Sequence, residues 1–224
     1  MRGLRPRCGP PVSVRSLGSN IPVGLDTFPP DFAAHIRGLE AAYLRETDPI
    51  RQSGFSGGSD RWRNEREPIL SAVKRDGDFL DLGCANGFLL ECLVAWAAAR
   101  EIALIPHGVD IGPSLIALAK IRLPRFAQNF HIANAFAWNP PQRYRYVYTL
   151  VDCVPSDQFQ AYVHGVLARC VAPGGRLIVG AYGSRSRNSP PVEVRGLLEG
   201  SGLTVAGEAS GGSPVLAQFA WVAA

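Results

Sequence analysis

The sequence predicts a doubly wound α/β fold: a seven-stranded, mostly parallel sheet with a C-terminal antiparallel hairpin, preceded by N-terminal helices. Three observations predict it. From Phe79 onward, short apolar runs alternate with stretches of helical periodicity, the pattern of βαβ units. The first of those strands runs directly into small residues, Gly83-Cys84-Ala85-Asn86-Gly87, that open a helix. The chain closes with two strand-like runs around Gly211-Gly212, a turn that suits antiparallel strands.

Taken in order, residues 1–30 hold Pro6, Pro10, Pro11, Pro22, Pro29 and Pro30 among glycines and serines, a composition that neither nucleates a helix nor buries a core, so a disordered arm is expected. Residues 31–75 are expected to hold N-terminal helices. Asp31 caps a pattern with Phe32, Ile36, Leu39, Tyr43 and Leu44 on one stripe, ending near Asp48-Pro49. A second helix is expected from about Asp60 to Val73. Between them, Gln52–Ser59 is Gly/Ser-rich around a lone Phe55; it is either a lid over a ligand or a plain linker. Residues 76–224 form the main domain, with strands expected at 79–82, 107–110, 130–133, 146–151 and 176–181. Helices fill the gaps at 87–100, 113–122 and 157–170. The second starts with Pro113 and stops before Pro124; the third starts on Asp157 with Gln160 three residues on, a capping-box-like pair. Pro173-Gly174-Gly175 turns the chain into the fifth strand, a helix follows near 192–200, and Leu203–Glu208 and Val215–Val222 make the hairpin. Alternation sets Tyr144, Tyr146 and Tyr148 on one strand face as sheet packing.

Composition narrows the class of function. A chain of 224 residues, 46% hydrophobic, is long enough for a substantial core. Its most apolar stretch, Phe88 to Ala99, is broken by Glu91, so no membrane span is expected. The net charge of +4 comes from Arg2, Arg5, Arg7 and Arg15; without these four of the 23 basic residues, 19 face 19 acids. The neutral body argues against tight nucleic-acid binding and favours a small-molecule partner. Five cysteines, Cys8, Cys84, Cys92, Cys153 and Cys170, form no C-x-x-C pair, which fits reduced thiols in a cytoplasm and no metal site.

The chemistry concentrates at Phe79-Leu-Asp-Leu-Gly-Cys-Ala-Asn-Gly87. Small residues let the backbone approach a ligand, the helix start offers free N–H groups, and doubly wound sheets bind ligands at this end of their strands. A dinucleotide fingerprint requires G-x-G-x-x-G. From Gly83 the chain reads Gly-Cys-Ala-Asn-Gly, which weakens a nicotinamide dehydrogenase. Asp81 stands two residues before the first glycine, where a carboxylate repels a phosphate and favours an ammonium or sulfonium.

Asp81-Leu-Gly-Cys-Ala-Asn-Gly87 resembles motif I of the class I S-adenosylmethionine-dependent methyltransferases, usually D-x-G-x-G-x-G, with Ala85 in place of the middle glycine. The resemblance implies a Rossmann-like fold and S-adenosylmethionine as cofactor. It also implies that Asp81, Gly83, Cys84, Ala85 and Gly87 line its methionine moiety. The backbone at Ala85 is then expected to avoid conformations reserved for glycine. The family's next landmark, an acid ending the second strand, is matched by Asp110, followed by Ile111. A carboxylate there can accept both ribose hydroxyls; it equally suits a structural role, steadying the turn before Pro113. The third landmark, usually Gly-Asp-Ala beside the adenine, reads Ala133-Asn134-Ala135, so the Asn134 amide oxygen would accept from the adenine amino group, with Phe136 either core or adenine platform. Leu150 and Asp152 would end the fourth strand beside the transferred methyl.

Methyl transfer from a sulfonium is a direct displacement that needs alignment more than a dedicated catalytic group. A base for an oxygen nucleophile is unassigned between Asp152 and His164. The favoured activity is therefore methylation of a small-molecule acceptor. RNA methylation using the basic arm and cofactor binding without catalysis remain open.

Overall fold

The structure is a computed structural model that describes residues 30–224. The arm expected over residues 1–30 lies outside the described residues but for Pro30, as does the capping side chain of Asp31.

Three helices come first: α1 (Pro30–Leu44), α2 (Pro49–Gln52) and α3 (Ser59–Arg66). The Asp48 carboxylate accepts from Ile50 N at 2.9 Å and starts α2. The expected second helix to Val73 is shorter: Pro68 has no N–H to continue an α-helix, and Glu67–Ala72 tightens to 3-10 geometry. The sheet then alternates with helices, as β1 (Gly77–Leu82), α4 (Phe88–Ala98), β2 (Leu104–Asp110), α5 (Pro113–Arg122), β3 (Phe130–Ile132), β4 (Tyr144–Leu150), α6 (Phe159–Cys170), β5 (Val171–Tyr182), α7 (Val194–Gly200), β6 (Val205–Gly211) and β7 (Ala217–Ala223). The strand order is β3-β2-β1-β4-β5-β7-β6. β7 runs antiparallel to both β5 and β6, and the other pairs are parallel.

Each face of this sheet carries its own core. Leu80, Leu82, Val147, Leu177 and Val179 pack with Phe159, Val163 and Val166 of α6 and Leu198 of α7. On the other face Phe79, Ile178 and Phe219 pack with Ile69, Leu90 and Leu93, and with Ile116 of α5. Parallel strands covered on both sides need apolar residues at nearly every position. Each fully buried side chain of this size contributes roughly 1.5–3 kcal/mol.

Two expectations need correction. The capping box at Asp157 does not form: Ser156–Gln158 is a 3-10 turn, and α6 starts at Phe159 with no side-chain cap. Nor do the three tyrosines share a face. Tyr144 belongs to the α6 side, Tyr146 and Tyr148 to the α4 side. The change of side coincides with an irregularity in the pairing: β5 begins at Val171, before Pro173-Gly174-Gly175, and its register with β4 slips between Tyr144 and Tyr146. A Cβ at Gly175 would lie 2.7 Å from the Arg145 carbonyl, so only glycine lets the two strands meet there.

What this topology does for the site is simple. The chain leaves β1 toward β2 on one side and reaches β4 on the other, so the carboxyl end of β1 opens a crevice at the switch in strand order. The N-terminal segment covers that crevice. Ile50, Phe55 and Trp62 form a third cluster against Phe88, Leu89 and Trp96 of α4.

Candidate functional site

The turn after β1 is held by its own backbone and by one carboxylate. Gly83 N and Cys84 N both donate to the Val109 carbonyl, at 2.7 and 3.0 Å. Ala85 N donates to Asp110 Oδ2 at 2.8 Å, and Gly112 N to Asp110 Oδ1 at 2.8 Å. Asp110 thus ties the β1 turn to the start of α5. Burial lifts its carboxyl above the usual range, the Gly112 and Ala85 N–H groups oppose that, and the Glu40 charge adds to it.

Around this turn lies a cavity of about 400 Å³. Its walls include Gly83, Ala85, Asp110, Ile111, Asn134, Ala135 and Leu150, with Phe136 and Asp152. The volume is that of a small-molecule site. The N-terminal segment supplies the cover: Ile36, Glu40 and Tyr43 of α1, the loop 53–56, and Arg61, Glu65 and Arg66 of α3. Tyr182 and Ser184 close the β5 side.

The remaining candidates from motif I lie behind the wall. Cys84 is buried, and its sulfur packs over Gly108, where a Cβ would approach it to 2.7 Å. Gly87 caps α4 at φ +73°, and a Cβ there would lie 2.9 Å from the Ala119 Cβ. The missing Cβ lets α5 pass close to the start of α4. Asp81 is 3% exposed and makes no hydrogen bond with any described residue, and burial followed by the nearby Asp110 charge pushes its carboxyl up to about 8.

Other expectations change in detail. Ala85 does not avoid the left-handed region: its φ is +46°, between Gly83 at +96° and Gly87 at +73°. The bond from Ala85 N to Asp110 holds it there, and for a small side chain the penalty is only about 1–2 kcal/mol. The Asn134 amide oxygen, expected to meet adenine, accepts from Phe136 N at 2.9 Å in a local turn. Phe136 is 37% exposed and stacks on Tyr162 with ring centroids 6.0 Å apart. His164 bonds the Ser201 carbonyl at 2.8 Å and does not line the cavity, which leaves Asp152 at the wall.

Three contributors are absent from the sequence-based set. Asn86 is fully buried; its Nδ2 donates to the Pro49 carbonyl at 3.0 Å and its Oδ1 accepts from Phe88 N at 3.2 Å. The preference of Asn for helix starts was a signal for the second bond; nothing in the sequence points to the first, which fastens α2 onto the turn. Glu40 reaches across from α1 to accept from Ser114 N and Leu115 N at the start of α5. Arg66 ends α3 over the rings of Phe55, Trp62 and Tyr182.

Among the described residues no group of three His, Cys, Asp or Glu side chains is arranged to hold a metal, and no helix is long and apolar enough to cross a membrane.

No protein-family model matches the chain, and no curated protein matches it. Solved structures do match. The 1,6-didemethyltoxoflavin-N1-methyltransferase of Burkholderia thailandensis, with bound 1,6-didemethyltoxoflavin and S-adenosylhomocysteine, is similar at a TM-score of 0.61 and 13% identity over 92% of each chain. The N-methyltransferase NodS of Bradyrhizobium japonicum, in complex with S-adenosylhomocysteine, aligns at a TM-score of 0.56 and 15% identity, covering 84% of this chain and 97% of its own. The magnesium protoporphyrin IX methyltransferase of Synechocystis PCC 6803, with bound S-adenosylmethionine, aligns at 0.53 and 15%, covering 84% of this chain and 96% of its own. The chain therefore has the Rossmann-like fold of the class I S-adenosylmethionine-dependent methyltransferases.

Proposed function

We propose that this chain is an S-adenosylmethionine-dependent methyltransferase acting on a small-molecule acceptor. The observation that carries this most directly is Asp110. A carboxylate at the end of β2, bonded to the backbone of the β1 turn, stands on the wall of a covered cavity in a fold whose solved neighbours hold this cofactor or its demethylated product.

The residues present fit the cofactor. Asp110 accepts from the Ala85, Gly112 and Ile111 N–H groups, and a carboxylate has about four acceptor sites, so capacity for a ribose hydroxyl remains. At Gly83 a Cβ would meet only Cys153 Sγ, at 3.4 Å, so the backbone there is open to a ligand. Asp81, without a hydrogen bond among the described residues, is a buried acid that a cationic amino-acid end would satisfy. When bound, S-adenosylmethionine supplies a methyl group on a cationic sulfur, ready for direct displacement.

The chain's own part is alignment and exclusion of water. Asp110 and the 83–85 backbone fix the nucleoside end; Ile111, Ala135 and Leu150 give it apolar walls. Helix α1 and the loop 53–56 cover the opening and keep bulk water from the reacting centre. For an oxygen nucleophile, Asp152 is the wall carboxylate within the fourth-strand end of the cavity. A small acceptor is favoured because the cavity is covered and the body carries no excess of positive charge. The molecules named for similar folds, 1,6-didemethyltoxoflavin and magnesium protoporphyrin IX, are of that class.

Calorimetric titration of the full chain with S-adenosylhomocysteine should give micromolar binding, near −8 kcal/mol (about 1 μM). Incubation of metabolite extract with methyl-labelled cofactor should transfer label to a compound of low molecular mass. Tight NADH binding with no response to S-adenosylhomocysteine overturns the proposal. Label in RNA, lost on deleting residues 1–20, would replace the acceptor class; binding without any transfer would leave a cofactor-binding protein.

A further inference from the structure

Helix α5 starts without a side-chain cap of its own, and a residue of the cover supplies one. The helix opens Gly112-Pro113-Ser114-Leu115. Gly112 stands at the N-cap with no side chain to offer, and Pro113 has no N–H. The donors that an N-cap side chain would meet are Ser114 N and Leu115 N, and both go to one oxygen, Glu40 Oε1 of α1. The carboxylate stands where the missing cap would be: a Cβ at Gly112 would lie 3.3 Å from Glu40 Oε1. Its charge also meets the positive end of the α5 dipole. Glu40 is 8% exposed and 74 residues from Ser114 along the chain.

This borrowed cap joins two parts of the cavity. Ile36, Leu39 and Tyr43 of the same helix line it, so the bonds from Glu40 fasten the cover on the β2 side. They end on the turn that fixes Asp110. The same Cβ at Gly112 would lie 3.3 Å from Asp110 Oδ1, which accepts from Gly112 N at 2.8 Å, while Asp110 Oδ2 accepts from Ala85 N. A cap within α5 would hold this helix start whether the cover were open or shut. A cap that belongs to α1 holds it only when α1 is down.

We propose that Glu40 is a latch residue: by capping α5 from α1 it makes the fixing of Asp110 conditional on closure of the cover, so that closure of α1 and occupancy of the cavity favour each other. Glu40 is in this sense a positioning residue that acts through the Gly112 turn. The inference rests on the reading of the cavity as a methyl-donor site.

Four forms of the full chain separate a latch from a plain helix cap: wild type, Glu40→Ala, Gly112→Ser and the double variant. Position 112 has φ −84° and ψ 109°, so serine there gives α5 a cap of its own, and on that background the helix start no longer needs Glu40. Hydrogen exchange of the ligand-free proteins follows the amides of α1 and of the first turn of α5; displacement kinetics follow release of S-adenosylhomocysteine. Glu40→Ala should exchange faster in both places, and Glu40→Gln, which keeps an accepting oxygen without the charge, should fall between it and wild type. On the Gly112→Ser background, loss of Glu40 should leave the start of α5 protected, yet still speed exchange in α1 and raise the release rate by about 3- to 30-fold, the range of a lost cap. Saturating S-adenosylhomocysteine should slow α1 exchange in wild type, and less so in the double variant. The latch is overturned if the double variant matches Gly112→Ser in α1 exchange and release, which would leave Glu40 a helix cap alone. Faster α1 exchange with unchanged release overturns the coupling to the site. If S-adenosylhomocysteine does not bind wild type, the methyl-donor reading fails instead, and α1 exchange in the ligand-free proteins still decides whether Glu40 holds the cover.

Discussion

The two sides of the cavity are built on opposite terms. On the β2 side three polar groups have partners within the protein: Asp110 takes the Ala85 and Gly112 N–H groups, the Asn134 oxygen takes Phe136 N, and Glu40 takes the start of α5. On the β1–β5 side the carboxyl of Asp81 makes no hydrogen bond with any described residue, and Arg66 Nη1 has none either. A pre-satisfied wall is rigid and orients whatever it meets. A buried group left unsatisfied raises the energy of the empty protein, and a ligand that satisfies it recovers that energy as affinity. Under the proposed function the β2 side would supply geometry, while the charged side would supply much of the dependence on which ligand is present.

The largest effect that would break this contrast lies at Asp81. Its folded carboxyl titrates near 8 against an ordinary 3.8, so between those values the folded protein holds a proton that the unfolded chain has released. Stability of the ligand-free protein is then highest at the acid end, falls as pH rises through the interval, and levels off above about 8. The full shift of about four units corresponds to at most on the order of 5 kcal/mol. Asp81→Asn removes the titration, so urea unfolding at pH 5 and pH 9 should show a smaller difference in the variant, which becomes the more stable protein at pH 9. Binding of S-adenosylhomocysteine at pH 7, followed in buffers of different ionisation enthalpy, should release close to one proton from wild type and none from the variant. A wild-type profile as flat as that of the variant would mean that Asp81 is ionised and satisfied in the empty protein.

A smaller effect sharpens the other half of the comparison. Asp110→Ala strips the acceptor from Ala85 N and Gly112 N together, and with it the anchor offered to ribose. Unfolding free energy should fall by about 1–3 kcal/mol and affinity for S-adenosylhomocysteine by a similar amount, about 10- to 100-fold. Asp110→Asn keeps one accepting oxygen and should retain part of both. Lower stability with unchanged affinity would make Asp110 a structural clamp alone.

That two-sided organisation was only half legible in the sequence. The strand-turn-helix and Asp110 were readable because apolar periodicity, small residues and one acid fall within a short stretch of chain. The same locality explains why the α5 boundaries, set by Pro113 and Pro124, agree with the structure. What escaped was everything that depends on elements distant in sequence. The bond from Asn86 to the Pro49 carbonyl joins residues 37 apart, and Arg66 meets Tyr182 across most of the chain. Side-chain orientation at the tyrosines of β4 failed for a related reason, since the pairing with the neighbouring strand is irregular between Tyr144 and Tyr146 and strict alternation does not hold there. Gly87 carries a second, packing requirement that the motif does not show: α5 passes so close that a Cβ there would meet Ala119.

The smallest expected effect tests how the pre-satisfied side tolerates Ala85. At φ +46° an L-residue costs about 1–2 kcal/mol over glycine in the folded state, yet glycine gives back about 0.5–1 kcal/mol through its freer unfolded chain. Ala85→Gly should therefore be neutral or stabilising by up to about 1 kcal/mol in denaturant unfolding, with S-adenosylhomocysteine affinity unchanged. Ala85→Val asks for the same φ from a β-branched side chain and should lose stability instead. If glycine destabilised the protein as well, the methyl group of Ala85 would be contributing packing at the cavity wall. The pairing of its N–H with Asp110 would then be the consequence of the turn's conformation and not its cause.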